Sequence, residues 1–287
     1  MPLKMIVTIK QVPDTQNISG DVMNPDGTVK RSALPAIPNP EDLNALEEAI
    51  KIKETRGGAI IAVTMGPPNA VKVLKECLYR GADEVILLSD RRFAGADTLA
   101  TSYVLKCAVE KISDFDIILC GRQAIDGDTA QVGPQLAEKL KINQLTNILE
   151  VIEINDKSIT VKRSIGNGYE IVKSKFPVLL TITSQANEPR SPSAKRVMAY
   201  KNIDQKMGDD SYDETYMISE NLAGNIKEWN VESIDADIAL CGLSGSPTKV
   251  KKVESVVLTV SDAKQIPNTE TGIADLIHEL TTQHIIG

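Results

Sequence analysis

A loop rich in glycine and acidic residues follows a short apolar run, and its residue types suit the binding of a phosphate group. Residues 115–120 read FDIILC, and residues 121–134 read GRQAIDGDTAQVGP. We expect Asp128 or Thr129 to cap a helix here and Gly127 to let the backbone approach a ligand closely. An anion would then be bound by free backbone N–H groups at the start of that helix. The groups expected to face it belong to Thr129, Ala130 and Gln131.

The loop lacks the two common nucleotide-binding signatures. It has neither the lysine and spacing of G-x-x-x-x-G-K-S/T nor the G-x-G-x-x-G pattern of dinucleotide-binding folds. Any phosphate must therefore be held mainly by backbone groups and small polar side chains. A second interpretation stays open, in which Asp126, Gly127 and Asp128 form only a turn and a helix cap.

Three further segments are expected to open at the same edge of the predicted sheet. They are residues 8–13, 65–68 and 95–98, each of which follows an apolar run or precedes a helical one. Ligands of open α/β sheets bind beyond the carboxyl ends of the strands. Several loops meeting at that edge favour a ligand site over a simple turn.

Metal and thiol chemistry are not expected. The four cysteines form no C-x-x-C pair, and each lies in an apolar run that is typical of a reduced, buried thiol; they are Cys77, Cys107, Cys120 and Cys241. The two histidines, His278 and His284, miss the i, i+4 spacing of helical metal ligands. Neither a metal site nor a histidine-based catalytic triad is therefore expected.

Composition narrows the class of protein. The 287 residues are 42% hydrophobic, which is enough for a sizeable core, and the net charge of -7 argues against a nucleic-acid partner. No apolar run reaches the roughly 18 to 20 residues of a membrane span, and the N-terminus lacks a signal-peptide pattern. The sequence thus predicts a globular, cytoplasmic protein. Because only 3% of the residues are aromatic, little is present to stack on a nucleotide ring.

The elements that must position the loop alternate between strand and helix in the first two-thirds of the chain. Predicted strands cover residues 5–12, 58–66, 83–90 and 114–120. Predicted helices cover residues 39–54, 69–81, 97–112 and 129–140. Near-continuous apolar strands that alternate with helices indicate a parallel sheet with helices on both faces, which is a doubly wound α/β fold.

The pattern changes after about residue 146. Three β-rich runs separated by turn residues predict antiparallel hairpins, at 148–156, 158–165 and 169–183. Residues 188–237 are polar with little apolar periodicity. We therefore expect a nucleotide-binding domain over residues 1–190, followed by a partner-docking loop and a C-terminal arm over residues 191–287.

Seven motifs spread along the chain match one known family. They are KQVPDT (10–15), NPEDLNALEEA (39–49), TMGPP (64–68), GADTLATS (95–102), GRQAIDGDTAQVGP (121–134), VKRSIGNGYEIVKSKFPVLLTIT (161–183) and NEPR (187–190). With them the sequence resembles the beta (small) subunit of electron-transferring flavoproteins over essentially its whole length. Three of these motifs, TMGPP, GADTLATS and GRQAIDGDTAQVGP, are together similar to those of the flavin-bifurcating members.

The resemblance implies a Rossmann-like, adenine-nucleotide-binding α/β fold. It implies FAD in this subunit for a bifurcating member and AMP at the same site for a plain electron carrier. Backbone groups from 127–131 are expected at the phosphates, and residues near Asn39 and Met65 at the adenosine half. The residues that the resemblance assigns to the cofactor are Thr8, Asn39, Asp42, Met65, Gly66, Arg122, Gln123, Asp126, Gly127, Asp128, Thr129, Ala130, Gln131 and Val132.

Three functions remain open at this stage. In the first, NADH gives a hydride to FAD in this subunit, one electron passes to the FAD of the larger (alpha) subunit and on to a flavin dehydrogenase of acyl-CoA or hydroxy-acid type, and the other passes to ferredoxin or flavodoxin. The second is a non-bifurcating carrier with structural AMP. The third is an adenine-nucleotide-binding module without redox chemistry.

Two segments are candidates for contact with partners. The resemblance implies a hydrophobic anchor just after the Pro-Arg pair, but Ala194 stands there. Val197 or Met198 could supply the anchor instead, or these two residues could pack on the subunit itself. Residues 272–286 have an apolar stripe at helical spacing. We expect this helix to lie against the larger subunit, the alternative being a terminal helix packed on the chain's own core.

Overall fold

The protein is built on a nine-stranded sheet with helices on both faces. The computed structural model describes residues 2–14, 35–201, 226–248 and 264–286. The strands are β1 (Leu3–Thr8), β2 (Gln11–Pro13), β3 (Ala36–Pro38), β4 (Gly58–Met65), β5 (Glu84–Leu88), β6 (Ile117–Gly121), β7 (Asn143–Ile154), β8 (Ser158–Ser164), β9 (Tyr169–Lys175), β10 (Val178–Ile182) and β11 (Ile226–Trp229). The helices are α1 (Pro40–Arg56), α2 (Val71–Arg80), α3 (Thr98–Ile112), α4 (Val132–Leu140), α5 (Ala194–Tyr200) and α6 (Glu270–Thr282).

The strand order confirms the doubly wound α/β prediction. It reads β11-β5-β4-β1-β6-β10-β7-β8-β9, with parallel pairing from β11 to β7 and antiparallel pairing from β7 to β9. β2 and β3 form a separate antiparallel pair. The first strand, β1, lies between β4 and β6, so the direction of winding reverses there. Open α/β sheets bind their ligands at this switch point.

Two apolar layers explain why the strands are almost wholly hydrophobic. Met5 and Val7 of β1 face the layer formed with α1 and α2, whereas Ile6 faces the layer formed with α3 and α4. Successive side chains of a strand point to opposite faces, so a strand covered on both faces needs apolar residues at every position.

The predicted hairpin at 169–183 is partly wrong. β9 does pair antiparallel with β8, but β10 is a separate strand in the parallel part of the sheet, between β6 and β7. All five residues of VLLTI in β10 are buried. A uniformly buried apolar run suits a central parallel strand rather than one half of a solvent-facing hairpin.

Part of the predicted C-terminal arm belongs to the main sheet. β11 pairs with β5 at one edge, and Val231, Ile234 and Cys241 are buried in the layer with α3. Residues 202–225 and 249–263, which fall within the predicted docking loop and arm, lie outside the described residues. The division at residue 190 therefore stays a prediction, with residues 226–248 added to the packed body.

The four cysteines are buried and free, as the apolar runs around them predicted. Burial raises the pKa of the Cys77 and Cys120 thiols well above its usual range. Within the described ranges, the structure contains neither a helix long and apolar enough to cross a membrane nor a group of three histidine, cysteine or acidic residues that could hold a metal ion.

Candidate functional site

The candidate site is the crevice at the carboxyl ends of β1 and β6. The two strands are neighbours, and the chain leaves β1 after Thr8 and leaves β6 after Gly121. Helix α1 begins at Pro40, with Asn39 immediately before it. Its first turn supplies the side chains that hold the two exits together.

Asp42 links the two strand exits. Its Oδ2 atom accepts a hydrogen bond of 2.8 Å from the Lys10 backbone N–H, and its Oδ1 atom accepts one of 3.0 Å from the Gly121 backbone N–H. Burial raises the pKa of Asp42 to about 7, although hydrogen bonds from Lys10, Asn39 and Gly121 act in the opposite direction. Both carboxylate oxygens are thus bound to backbone groups.

Asn39 and Glu41 hold the next residues of the loop. The amide of Asn39 donates from Nδ2 to the Gln123 carbonyl at 2.9 Å and accepts at Oδ1 from the Ile125 N–H at 3.1 Å. Glu41 accepts at Oε2 from the Gln123 N–H at 3.0 Å, and its Oε1 lies 3.1 Å from Nη2 of Arg122. The polar start of α1 therefore fixes the backbone of residues 121–125.

These contacts give two of the predicted site residues a structural role. Asn39 and Asp42 were assigned to the nucleotide, yet their side chains are already bonded to the backbone around Gln123 and Gly121. Asn39 is fully buried and Asp42 is 7% exposed. Both side chains therefore position the loop, and the contact of these two residues with a nucleotide stays a prediction.

The predicted helix start at residue 129 is wrong. α4 begins at Val132, and Gln131, the residue before it, makes no side-chain capping bond. Asp128 and Ala130 have φ angles of 48° and 52°, which lie in the left-handed region and cannot continue a right-handed helix. Asp128 and Thr129 are therefore not caps, and the loop is longer than the sequence indicated.

The loop residues before α4 offer backbone N–H donors that could bind an anion. Residues 126–131 are exposed, and in the hydrogen bonds of the described residues none is donated by the backbone N–H of Thr129, Ala130 or Gln131. Left-handed residues close together in sequence turn neighbouring N–H groups into one concavity, which is a common anion-binding arrangement. The donor set of this loop fits a phosphate.

Gly127 leaves space beside the loop. A Cβ atom placed on it would meet no atom within 4 Å, and its φ is not in the left-handed region. Glycine is thus required there neither by packing nor by backbone conformation. The absence of a side chain keeps open the approach to the N–H groups that follow.

The other strand exits lie at the same edge. Thr8 and Met65 are half-buried at the ends of β1 and β4, and the Gly66 N–H bonds to the Leu88 carbonyl at the end of β5 at 3.0 Å. Asp97 caps α3, because its Oδ1 accepts from the N–H groups of the first turn of that helix. Met65 and Gly66 thus lie at the end of β4, which β1 separates from β6 and its loop.

Helices α3 and α4 are joined near their starts. Thr98 donates from Oγ1 to Oε1 of Gln131 at 3.2 Å. A Cβ on Gly133 would lie 2.8 Å from Sγ of Cys120, so only glycine lets α4 approach β6 so closely. Val132 is the half-buried first residue of the helix. The end of the loop is therefore fixed as firmly as its beginning.

Lys10 is a site residue that the prediction missed. Its Nζ atom lies 2.7 Å from both carboxylate oxygens of Asp126, so its side chain bridges the exits of β1 and β6. The sequence feature that could have indicated Lys10 is its position as the first residue of the KQVPDT motif. Sequence spacing could not reveal a contact across 116 residues.

The candidate anchor segment is attached to the body by two arginines. Arg190 donates from Nε to Oε2 of Glu47 in α1 at 2.9 Å. Arg196 donates to the carbonyls of Leu78 and Ala82, at 2.8 Å and 2.7 Å, at the end of α2. Of the candidate anchor residues in α5, Ala194 and Met198 are exposed and Val197 is half-buried.

The isoleucines of the apolar stripe of the C-terminal helix are exposed to solvent in this chain, whereas Leu276 and Leu280 are half-buried. Ile273 and Ile277 of α6 are 50% and 52% exposed, and Ile285 beyond its end is 61% exposed. These exposures do not fit the alternative in which the stripe packs on the chain's own core. Docking to another surface stays a prediction.

Comparison with known proteins identifies related sequences. A sequence family described as "Electron transfer flavoprotein domain" matches residues 26–206. The chain is 40% identical over 284 residues to "Electron transfer flavoprotein subunit beta" of Thermoanaerobacterium thermosaccharolyticum, covering 99% of this chain and 100% of the relative.

Two further relatives are named as parts of reductase systems. "Caffeyl-CoA reductase-Etf complex subunit CarD" of Acetobacterium woodii is 41% identical over 286 residues, covering 99% of this chain and 100% of that protein. "Acryloyl-CoA reductase electron transfer subunit gamma" of Anaerotignum propionicum is 37% identical over 295 residues, with the same two coverages. Full-length similarity extends over the loop at 121–134 and over the C-terminal segment.

Proposed function

This chain belongs to the electron transfer flavoprotein family as a beta-type subunit, and on that premise we propose that it binds FAD in the crevice between β1 and β6 and takes part in electron bifurcation. The observation that supports this proposal most strongly is the loop after β6. Its base is held by Asn39, Glu41 and Asp42, and its outer part has backbone N–H donors without partners among the described bonds.

The loop suits the diphosphate of a dinucleotide. The N–H groups of residues 129–131 would donate to phosphate oxygens, and the bare backbone at Gly127 would allow them to approach. Fixed donors need no reorganisation on binding, because α1 already holds one end of the loop and the contact of α4 with β6 holds the other. Thr8, Met65 and Gly66 would then contact the adenosine half of the dinucleotide.

When bound, FAD would supply the redox chemistry, which is acceptance of a hydride from NADH and delivery of single electrons to the FAD of the larger subunit and to ferredoxin or flavodoxin. The part of this chain is to bind and orient the cofactor. Asp42 and Asn39 fix the loop, and the loop N–H groups fix the phosphates. The described residues near the loop contribute no histidine for proton transfer.

The alpha subunit is the proposed first partner, and a flavin dehydrogenase the second. The apolar stripe at Ile273 and Ile277 offers a surface for the alpha subunit, since it is half-exposed in this chain. The names of two relatives mention caffeyl-CoA and acryloyl-CoA reductases. Both substrates are CoA thioesters, which favours an acyl-CoA type of dehydrogenase over a hydroxy-acid type for this protein.

The test is to count the nucleotides in the purified heterodimer of both subunits. Protein should be denatured and its small molecules separated, so that FAD and AMP are quantified per heterodimer. Two FAD molecules support the proposal. One FAD plus one AMP supports the non-bifurcating carrier instead, and absence of flavin and AMP would leave only the nucleotide module without redox chemistry.

A functional readout separates bifurcation from simple two-electron transfer. The heterodimer should be mixed with NADH, ferredoxin and the acyl-CoA dehydrogenase with its substrate. The proposal predicts that ferredoxin is reduced only when the dehydrogenase substrate is also present. Reduction of the dehydrogenase substrate at the same rate without ferredoxin, and with no coupling between the two acceptors, would contradict it.

A further inference from the structure

An ion pair spans the mouth of the proposed nucleotide site. Lys10, on the exit of β1, places Nζ 2.7 Å from both oxygens of Asp126, on the exit of β6. The Lys10 side chain is 50% exposed and that of Asp126 is 26% exposed. An ion pair this open to water is weak, so its partners can exchange easily.

The backbone of Lys10 is fixed although its side chain is not. Its N–H donates to Asp42 at 2.8 Å, and its carbonyl accepts from the Asn39 N–H at 2.9 Å. Ile9, the residue before it, is bonded to the Val63 carbonyl at 2.9 Å. Because Lys10 is anchored through these groups, the movement available to it is the swing of its four-carbon side chain over the crevice.

The acidic residues of the loop would repel a phosphate, so a cation beside them would favour phosphate binding. Asp126 and Asp128 flank Gly127, beside the N–H groups proposed for the phosphates; the Asp126 side chain is 26% exposed and Asp128 is exposed. Arg122, a second cation of the loop, is paired with Glu41, which is 7% exposed. A phosphate approaching this loop meets two carboxylates, and Lys10 has the partner that is easier to give up.

We propose that Lys10 exchanges partners when the nucleotide binds, so that its ammonium group leaves Asp126 and pairs with a phosphate of the ligand. The inference rests on the proposed function and adds to it a cationic contact for the phosphates. The Asp126 carboxylate then turns to solvent. In this arrangement Lys10 binds the ligand, and Asp126 competes with the ligand for Lys10.

The alternative is a purely structural bridge that holds the two exits together. The two roles predict opposite effects at Asp126. If Asp126 competes with phosphate, Asp126→Asn tightens nucleotide binding, since it frees Lys10 and removes a negative charge. If the pair is a structural bridge, removing either partner loosens the crevice, and both substitutions weaken binding.

The experiment uses the heterodimer after removal of its bound nucleotide, with dissociation constants measured for FAD, AMP and adenosine. We expect Lys10→Gln to weaken FAD and AMP binding about tenfold, the size of one charge-assisted hydrogen bond, and to leave adenosine binding unchanged. Lys10→Arg should restore most of the affinity. Asp126→Asn should tighten FAD and AMP binding.

Lys227→Gln is the matched control. Lys227 forms an ion pair of 2.6 Å with Glu84, and both residues lie where β11 and β5 begin, away from the nucleotide crevice. It removes the same charge and should change none of the three constants. Binding losses of equal size for Lys10→Gln and Asp126→Asn would overturn the inference, as would an equal effect of Lys10→Gln on AMP and adenosine.

The wild-type protein separates this inference from the proposed function. A wild-type heterodimer that binds neither FAD nor AMP at this site contradicts the proposed function, and the inference with it. A wild-type heterodimer that binds FAD while Lys10→Gln binds it equally well contradicts the inference alone.

Discussion

The backbone N–H of Gly121 donates a hydrogen bond of 3.0 Å to the buried carboxylate of Asp42. The two residues are 79 positions apart, at the end of β6 and in the first turn of α1. The contact is so close that a Cβ on Gly121 would lie 2.5 Å from Asp42 Oδ1 and 2.8 Å from the Asp42 backbone nitrogen. This junction sets where the loop after β6 begins.

Gly121→Ala should therefore destabilise the fold. The backbone of α1 cannot move away from the added methyl group without shifting the whole helix, so we expect a loss of about 1–3 kcal/mol in the free energy of unfolding. Urea denaturation of the purified chain measures it. Gly127→Ala is the matched control, and because its Cβ would meet open space, it should stay within about 0.5 kcal/mol of wild type. Equal stability of both variants would contradict the close contact.

The buried Asp42 carboxyl should make stability depend on pH. Burial raises its pKa from 3.8 to about 7, so between about pH 4 and pH 7 the folded chain holds a proton that the unfolded chain has lost. The stabilisation is present at the acidic end of this window and is lost as the pH rises through 7. The slope is at most about 1.4 kcal/mol per pH unit.

Asp42→Asn isolates this effect, because the amide does not titrate. The free energy of unfolding should be measured for both proteins from pH 5 to 8. We expect wild type to lose stability relative to Asp42→Asn up to about pH 7, with the difference constant above it. A difference that does not change over this range would show that the carboxyl is ionised in the fold throughout.

Arg190 should stabilise the segment that leads to α5. It donates to Glu47, which is 6% exposed, and to Glu54, whose side chain is 56% exposed. Arg190→Gln leaves the Glu47 carboxylate buried without its cation, which should cost about 1–3 kcal/mol after allowance for partial solvent exposure. Glu54→Gln, which disrupts only the exposed half of the pair, should cost less than about 0.5 kcal/mol. Equal losses of unfolding free energy for Arg190→Gln and Glu54→Gln would contradict the greater importance of the buried Glu47 contact.

The exposed stripe of α6 should be needed for the heterodimer. Introducing a charge on it with Ile273→Glu and Ile277→Glu together should abolish co-purification with the larger subunit while the chain itself stays folded. Asp275→Lys, between them in sequence but on the opposite side of the helix, is the control and should leave the complex intact.

Deletion of residues 265–287 should act like the double substitution. A heterodimer as stable as wild type after the double substitution would show that the stripe does not dock there.

Much of the fold follows from local sequence patterns. The strands could be predicted because burial on both faces of a parallel sheet demands continuous apolar runs, such as IILC ending at residue 120 or the run at 60–63. Helix ends could be predicted where a residue type decides them, as at Asp97, which caps α3, and Gly81, which ends α2. The alternation of strands and helices also predicted that the loops meet at one edge of the sheet.

The interior of the site could not be predicted in the same way. Asn44, Glu47 and Glu48 of α1 have the residue types of a solvent-facing helix surface, but they are buried because the segment around Asn187 lies on them. Their partners are more than 130 positions away, and no local pattern encodes such a distance. The late start of α4 was missed because the left-handed angles at residues 128 and 130 are set by the loop as a whole.

The central claim is that the loop after β6 holds an FAD, and the most direct measurement is the flavin content of the heterodimer with and without a side chain at Gly127. Gly127→Val places its side chain where no other atom of the chain lies within 4 Å of the new Cβ, so the fold should be kept while the approach of a phosphate is blocked. We predict two FAD molecules per wild-type heterodimer and one per Gly127→Val heterodimer, with unchanged unfolding of the flavin-free chain. An equal flavin content in both proteins would contradict the claim.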